Sequence, residues 1–343
     1  MKTLLSLLLT GLLVGSSIYL FLEKPAPKKY LELVTKEEPL RQNNSVNILF
    51  VGDIMLDRGI RKVINENGFG YILNDVKDMF QNHDLIIGNL EGTITENQSI
   101  AIKNNQILRF TFSTTTAREL KKAGFSGFSL ANNHTLDFYQ AGYDETRKNL
   151  SEAGLFSFGS PLNNQKISHE LLIKNKKLCY IGYHSLYSST TTSVIKEINA
   201  LKGQCDFIVV MSHWGEEYED FENEHQRAQA HSFIDAGADL IIGHHPHVIQ
   251  PIEIYKNKAI FYSLGNFIFD QDFSFKTRRG IGVNLIVGEK TLTFKIIPIE
   301  MYKGKLYFSN LNDFSEQINI LISKLSNSEK ASILENLTIE LLK

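Results

Sequence analysis

The stretch 240–248 reads LIIGHHPHV. Its apolar start predicts a buried strand, and His245 and His247 follow, one residue apart, where that strand would emerge. Neutral imidazole is a good ligand for transition metals, and Pro246 stiffens the turn between the two histidines. The stretch therefore predicts a metal site at a strand end, with His244 as a structural neighbour.

Five further apolar runs end in Gly, Asn, Asp, Glu or His. They are Asn47–Val51 before Gly52-Asp53, Asp84–Ile87 before Gly88–Gly92 (GNLEG), Phe125–Leu130 before Ala131–His134 (ANNH), Phe207–Met211 before Ser212–Gly215 (SHWG), and Ala259–Tyr262 before Ser263–Phe267 (SLGNF).

Ligands bind beyond the carboxyl ends of the strands in open α/β sheets. If the six strands share one sheet, one crevice collects Asp53, Glu91, Asn133, His134, His213, His245 and His247. Carboxylate, amide oxygen and imidazole suit one or two divalent metals, whereas a structural zinc site usually needs thiolates.

Single residues of this set have ordinary explanations. Asp53 could cap a helix predicted over Leu56–Asn65, and Asn89 and Asn266 could be turn residues. Trp214 could line the pocket or pack beside His213. The recurrence of the same residue classes at the same strand position favours a metal site.

Composition restricts the class of protein. A net charge of −2 over 343 residues gives no basic surface for nucleic acid, so we expect no nucleic-acid partner. Two cysteines are too few for a disulfide framework. Cys179 and Cys205 precede different predicted strands, so buried free thiols are expected in preference to a bridge.

The N-terminus predicts export. Thr3 to Leu22 is uncharged and long enough to span a bilayer, so residues 1–22 form an uncleaved membrane anchor or a signal peptide, of which the length favours the anchor. The proline- and charge-rich residues 23–46 read as an extended linker. We expect a single-pass anchor at the bacterial membrane with an exported domain, or secretion after cleavage.

Strands alternate with helices through residues 47–287. Helices are predicted near Ala117–Ala123, over Ala141–Ala153 and over Glu224–Ala236. Gly237 is expected to end the last of these helices. From Gly280 onward the pattern changes: Val283–Val287 and Leu292–Glu300 read as paired strands, and two short helices close the chain after Leu306–Phe308. Residues 288–343 are assigned to this C-terminal portion. The sequence predicts an α/β core with C-terminal strands and helices that pack on it.

With these motifs in place, residues 47–287 resemble the bacterial capsule-synthesis CapA (poly-γ-glutamate capsule) family. The motifs are GDIMLDR from Gly52, GNLEG from Gly88, ANNHTLD from Ala131, SHWG from Ser212, GHHPHV from Gly243 and YSLGNF from Tyr262. The family is similar to the calcineurin-like metallophosphoesterases. The resemblance implies a layered fold in which central β-sheets are flanked by helices, with a C-terminal strand and helix extension.

The resemblance also implies residue roles in a site for one or two divalent metals, either Mn, Fe or Zn. Asp53 and His247 would bind one metal, Asn133, His213 and His245 the other, and Glu91 would bridge them. His134 would be the general acid. Asn89 and Asn266 would bind substrate. Met55 stands where the phosphoesterases have a histidine, and Asn89 or Glu91 where they bridge with aspartate. Asp57, before Arg58, is a further departure.

Two functions remain open. One is a hydrolase of a phosphoester or an amide-type polymer bond, in which Arg58 neutralises an anionic substrate group, unless it pairs with Asp57, Asp137 or another exposed carboxylate. The other is a membrane-tethered accessory protein that binds or exports an anionic polymer such as poly-γ-glutamate. Capsule-synthesis membrane proteins are expected partners of either.

Overall fold

A computed structural model of the chain describes residues 44–104, 106–187, 190–310 and 312–343. The predicted anchor (1–22) and residues 23–43 of the predicted linker lie outside these ranges. Within them, no helix is both long and apolar enough to cross a bilayer.

Seventeen strands are found in the described ranges. They are β1 (Val46–Ile54), β2 (Leu85–Leu90), β3 (Thr93–Ile94), β4 (Thr111–Phe112), β5 (Gly127–Ser129), β6 (Phe156–Phe158), β7 (Ser168–Ile173), β8 (Lys176–His184), β9 (Phe207–His213), β10 (Leu240–His244), β11 (Ile252–Tyr255), β12 (Lys258–Phe261), β13 (Asn266–Ile268), β14 (Arg279–Val287), β15 (Thr291–Tyr302), β16 (Lys305–Phe308) and β17 (Thr338–Leu342).

The helices of the same ranges connect these strands. They are α1 (Arg58–Asn67), α2 (Gly70–Leu73), a 3₁₀ helix (Asn74–Phe80), α3 (Thr116–Lys122), α4 (Tyr139–Glu152), α5 (Thr192–Leu201), α6 (Glu224–Ala236), α7 (Phe275–Arg278), α8 (Ser315–Leu321) and α9 (Asn327–Asn336).

The strands form two large sheets. Among the described residues the first sheet has nine strands, with β1 parallel to β2 and β13 and antiparallel to β14. The second has six, in the order β11-β12-β10-β9-β8-β7, of which β8, β9, β10 and β12 are parallel. The six strands therefore do not share one sheet: β1, β2 and β5 lie in the first sheet, and β9, β10 and β12 in the second.

Side-chain alternation divides the second sheet between two cores. Phe207, Val209 and Met211 of β9 join the core that contains the first sheet, whereas Ile208 and Val210 join a smaller core beneath α5 and α6. Because successive residues of a strand point to opposite faces, each parallel strand is apolar on both sides. This layered α/β architecture confirms the predicted fold class.

The C-terminal elements extend the first sheet. The predicted strand pair is present as β14 and β15, which are antiparallel and joined after Val287, and β16 follows. Both closing helices are present, but the sequence did not predict β17, which pairs with β15. The division of the chain at residue 287 stays a prediction.

Helix boundaries follow their capping residues. Asn223 and Gln226 form a capping box at the start of α6, and Gly237 ends the helix with φ of 127°, as predicted. The helix predicted to start at Leu56 begins instead at Arg58, because the Asp57 carboxylate accepts a hydrogen bond from the Arg58 amide. Asp53 is therefore not the cap.

The cysteines are bonded to each other. Cys179 near the start of β8 and Cys205 before β9 form a disulfide, with their Cα atoms 6.1 Å apart. The expectation of free thiols is wrong. The reason is tertiary: β8 and β9 are adjacent parallel strands, so residues that precede β9 lie beside the first residues of β8.

Candidate metal centre

The candidate site lies between the two sheets, at the carboxyl ends of their parallel strands. Asp53 of β1 accepts a hydrogen bond from the His245 amide, with 3.1 Å between Oδ2 and N. Asn89 Nδ2 of β2 is 3.3 Å from His213 Nδ1 of β9. These two contacts connect the sheets, so strand ends from both contribute to one cluster.

Glycines allow this close approach of backbones. A Cβ atom at Gly52, directly before Asp53, would lie 1.9 Å from the Gly265 carbonyl oxygen. A Cβ at Gly243 would lie 1.9 Å from the Tyr262 oxygen. Both contacts are impossible for any other residue, so the strand ends that carry the candidate ligands can converge only with glycine at these positions.

Asp53 and His247 form the first half of the cluster. Asp53 Oδ2 is 3.4 Å from His247 Nδ1, and both side chains are buried. Asn266 Oδ1 is 2.9 Å from the same nitrogen, and the Asn266 amide nitrogen donates to the Thr277 carbonyl at 2.8 Å. Nδ1 of His247 therefore donates, and its Nε2 points to Glu91, 3.7 Å away.

Asn133, His213 and His245 form the second half. His213 Nε2 is 2.7 Å from Asn133 Oδ1, and the rings of His213 and His245 lie 4.7 Å apart. The Nδ1 atom of His245 is buried and has no hydrogen-bond partner among the described residues. His245 also has φ of 96°, a backbone conformation that costs energy for a non-glycine residue.

Glu91 lies between the two halves. Its side chain is fully buried, and neither carboxylate oxygen has a hydrogen-bond partner in the described part of the chain. Asp53, Glu91 and His213 each offer a ligand atom, and these atoms lie within 4.8 Å of one another. A buried carboxylate without donors is costly unless a cation satisfies it, so the residues fit a bound metal of the expected kind.

Burial and neighbouring charges shift the pKa values of the cluster residues in different directions. Burial raises the pKa of Glu91 well above its usual value, and Asp53 adds to the effect. Burial alone would lower the pKa of His247, but the charges of Glu91 and Asp53 outweigh it and raise that pKa to about 9. Burial lowers the pKa of His245 to about 3, so this imidazole is neutral and one of its ring nitrogens has a lone pair available.

His134 faces the cluster from the loop after β5. Its Nδ1 is 2.9 Å from Asp137 Oδ2, and its Nε2 is 3.9 Å from Glu91 Oε1. The ring lies 4.3 Å from that of Phe110. Because the Asp137 carboxylate accepts a hydrogen bond from Nδ1, the nitrogen that faces the cluster is Nε2, the position required of a general acid.

Arg58 lies at the margin of the site, where its guanidinium forms an ion pair with Asp270. Neither Asp57 nor Asp137, the carboxylates named from the sequence, is its partner. The Gly59 amide also donates to Asp270, at 2.9 Å. Phe110 lies under the guanidinium at 4.9 Å.

The two asparagines predicted to bind substrate are buried among the candidate ligands. Asn89 donates to Asp53 at 2.8 Å and accepts from Asn132 at 3.1 Å, and Asn266 contacts His247 as described. In the structure both amides orient ligands, and their contact with substrate stays a prediction. Trp214 is fully buried and donates to the Tyr262 carbonyl at 2.9 Å, so it packs behind the site.

Three residues near the cluster were missed from the sequence. Asp137 belongs to a quoted motif but was named only as a possible partner of Arg58, not of His134. Glu217 offers a carboxylate oxygen to the group formed with His245 and His247, and its signal was its place two residues after SHWG. His184 ends β8, an apolar run that the search for strand ends did not include.

Comparison with known proteins gives concordant matches. Residues 47–271 match the model of the family described as bacterial capsule synthesis protein PGA_cap. The capsule biosynthesis protein CapA of Bacillus anthracis is 30% identical over 286 residues, which cover 77% of this chain and 69% of that protein. The PGA biosynthesis protein CapA of Bacillus subtilis (strain 168) is 32% identical over 274 residues, 74% and 71% of the two chains.

Among solved structures, a hypothetical protein from Thermus thermophilus superposes with a TM-score of 0.44 and 17% identity, over 76% of this chain and 96% of the other.

Proposed function

The chain belongs to the bacterial capsule synthesis protein family PGA_cap, and from this premise we propose that it is a metal-dependent hydrolase-like protein of the cell envelope that acts in poly-γ-glutamate or capsular polymer biosynthesis. The observation that carries the proposal is the Glu91 carboxylate, which is buried beside Asp53, His213 and His247 without a hydrogen-bond donor among the described residues.

Six side chains would hold one or two divalent metals, either Mn, Fe or Zn: Asp53, Glu91, Asn133, His213, His245 and His247. Such a metal lowers the pKa of water and stabilises negative charge on oxygen. Asn266 and Asn89 fix the orientation of His247 and Asp53 through the hydrogen bonds described above. This is the support that metal ligands need from their surroundings.

The proton for the leaving group comes from His134. Asp137 holds the ring through Nδ1, so that Nε2 points to the cluster. The side chain of His134 is 12% exposed, so it lies at the boundary between the buried ligands and solvent. The substrate bond is a phosphoester or an amide of an anionic polymer.

Metal analysis and paired assays test this proposal. We expect purified protein to contain a transition metal and to hydrolyse a phosphodiester or a γ-glutamyl substrate. The His134→Ala variant should keep its metal and lose about 100-fold or more in rate, whereas His225→Ala, at an exposed histidine of α6, should leave the rate unchanged. Equal inactivity of metal-loaded wild type and His134→Ala on every substrate would refute the catalytic proposal.

One observation favours a second function, a non-catalytic accessory protein that binds or exports an anionic polymer. Met55 is fully buried, and its sulfur accepts a hydrogen bond from the Asp57 amide at 3.1 Å. The position that carries a histidine ligand in the phosphoesterases is thus occupied by a residue engaged elsewhere. Calorimetry with poly-γ-glutamate tests this function: metal-dependent binding without turnover supports it, and turnover excludes it.

The same proposal includes the location of the protein. We infer a single-pass anchor in residues 1–22 with the domain outside the membrane, next to capsule-synthesis membrane proteins; the alternative is secretion after cleavage. The Cys179–Cys205 bridge supports export, since disulfides persist in oxidising compartments. Membrane fractionation with N-terminal sequencing tests it: an intact N-terminus in the membrane fraction is expected, and a cleaved, released chain would refute the anchor.

A further inference from the structure

Three adjacent strands of the second sheet end in histidine on the same face. His184 of β8, His213 of β9 and His244 of β10 are cross-strand partners in register. Leu178 of β8 and Phe207 of β9 lie an even number of residues before His184 and His213, and both pack in the core between the sheets. Since residues two apart share a face, all three imidazoles leave the second sheet towards the first.

The three histidines differ in what their Nε2 atoms contact. His213 Nε2 is 2.7 Å from Asn133 Oδ1, and His244 Nε2 is 3.3 Å from the Val51 carbonyl oxygen. His184 Nε2 is buried and has no hydrogen-bond partner among the residues that the structure describes. One imidazole of the row therefore has an unused ring nitrogen.

The tautomer of His184 is fixed by its surroundings. Its Nδ1 is 2.8 Å from the Pro161 carbonyl oxygen. A carbonyl can only accept, so Nδ1 carries the hydrogen and Nε2 carries the lone pair.

The backbone of His184 is held in place as well. The Asn163 side chain accepts from the His184 amide at 2.9 Å and donates to its carbonyl oxygen at 2.6 Å. The backbone N–H and carbonyl of His184 are thus both held by the buried Asn163 side chain. A side chain placed this firmly, with one unsatisfied nitrogen, is pre-organised for a ligand.

The ring lies beside the second half of the cluster. The centroids of His184 and His213 are 5.7 Å apart, and His184 interacts electrostatically with His134 and His245. Tyr187 lies edge-on to His184 at 4.7 Å. Its hydroxyl donates to the carbonyl of Asn133 at 2.7 Å.

We propose that His184 is a further ligand, through Nε2, of the metal that Asn133, His213 and His245 hold. This inference rests on the proposed metal use of the site. A histidine that donates its other ring nitrogen to a backbone carbonyl has the arrangement typical of metal-ligating histidines. A third imidazole in this half of the cluster favours Zn²⁺ or Fe²⁺ over Mg²⁺, which prefers oxygen ligands.

Equilibrium dialysis with Zn²⁺ tests the proposal in four proteins: wild type, His184→Gln, His245→Ala and His169→Gln. His169 is a matched control, since it lies on the neighbouring strand β7 and stacks on Phe156 at 4.5 Å. We expect at least about tenfold weaker binding for His184→Gln and His245→Ala, because loss of even an outer partner of a ligand costs that much. His169→Gln should bind as wild type does.

A second measurement is made on wild type, with a variant used only to assign the signal. In protein labelled with ¹⁵N-histidine, addition of Zn²⁺ should shift the Nε2 resonance of His184, which is assigned by its absence in His184→Gln. Circular dichroism and thermal unfolding in chelator verify that each variant folds, so that weak binding can be ascribed to the lost ligand.

The outcomes separate the two proposals. Wild-type affinity in His184→Gln together with an unmoved Nε2 resonance overturns the role of His184, while the proposed function stands if His245→Ala still loses metal. If wild type binds no metal, the metal-dependent function fails and the inference fails with it.

Discussion

Two nearby tyrosines of β8 point to opposite faces of the sheet, and their hydroxyl groups differ in hydrogen bonding. Tyr180 faces the core between the sheets, and its hydroxyl has no hydrogen-bond partner among the described residues. Tyr183 faces the smaller core, where Gln229 Nε2 donates to its hydroxyl at 2.9 Å. The two side chains are equally buried, so the difference lies in their partners.

Replacing one tyrosine with phenylalanine should therefore raise the free energy of unfolding, and replacing the other should lower it. Tyr180→Phe removes a buried polar atom without partner and should raise the free energy of unfolding by about 1 kcal/mol. Tyr183→Phe removes a hydrogen bond and should lower it by about 1 kcal/mol. Urea unfolding of both variants measures the effects, and a loss of stability in Tyr180→Phe would contradict this account.

At the scale of elements, α1 depends on one buried carboxylate at its start. Asp57 is fully buried and accepts hydrogen bonds from the Arg58 amide at 2.9 Å, Arg61 Nε at 2.8 Å and the Thr111 amide at 3.0 Å. The residue that departs from the family motif thus connects the helix to β4. Its role is structural.

Asp57→Ala should lower the free energy of unfolding by about 3 kcal/mol, since it removes a helix cap and leaves Arg61 without its carboxylate partner. Glu152→Ala on α4 is the control, because its pair with Lys148 is exposed and should contribute less than about 0.5 kcal/mol. Similar small losses in both variants would show that Asp57 is dispensable.

The disulfide connects two other elements, β8 and the turn before β9. It closes a loop with a sequence separation of 26 residues. The double variant Cys179→Ala/Cys205→Ala should lose about 2–4 kcal/mol. Dithiothreitol should lower the melting temperature of wild type and leave that of the double variant unchanged; an equal response of both would contradict the bridge.

For the whole molecule, buried tyrosine hydroxyls make the free energy of unfolding depend on pH in the alkaline range. Burial raises the pKa values of Tyr180, Tyr183 and Tyr262 above that of a free phenol. At and below neutral pH both the folded and the unfolded chain keep these protons. Above about pH 10 the unfolded chain releases them while the folded chain does not, so stability falls as pH rises.

Urea midpoints from about pH 8 to about pH 11 should therefore decline beyond about pH 10. The decline should be shallower in Tyr180→Phe, because one phenol that titrates only in the unfolded chain is gone. Parallel curves for this variant and wild type would show that other groups, such as paired lysines, dominate.

The sequence predicted those parts of the fold and site that depend on local pattern. Asp53, Glu91 and His213 each follow an apolar run, and parallel strands bring their carboxyl ends together, so that their convergence could be expected from the chain alone. The bounds of α6 could be predicted to the residue from its cap at Asn223 and its stop at Gly237.

Pairing over long range could not be predicted in this way. Arg58 and Asp270 are 212 residues apart, and nothing local relates them. The division into two sheets depends on which strands pair, which apolar runs of similar composition do not encode individually. His184 was overlooked although its run has the right form, because Tyr180, Gly182 and Tyr183 make it less uniformly aliphatic than the others.

The direction of β1 determines where the N-terminal end of the domain lies relative to the candidate ligands. Val46 begins the strand and Asp53 lies seven residues further on, a rise of about 23 Å at about 3.3 Å per residue. The amino end of β1 at Val46 thus lies at the edge of the sheet remote from the candidate ligands. A tether attached at this end would leave the ligand cluster on the side of the domain opposite the attachment point.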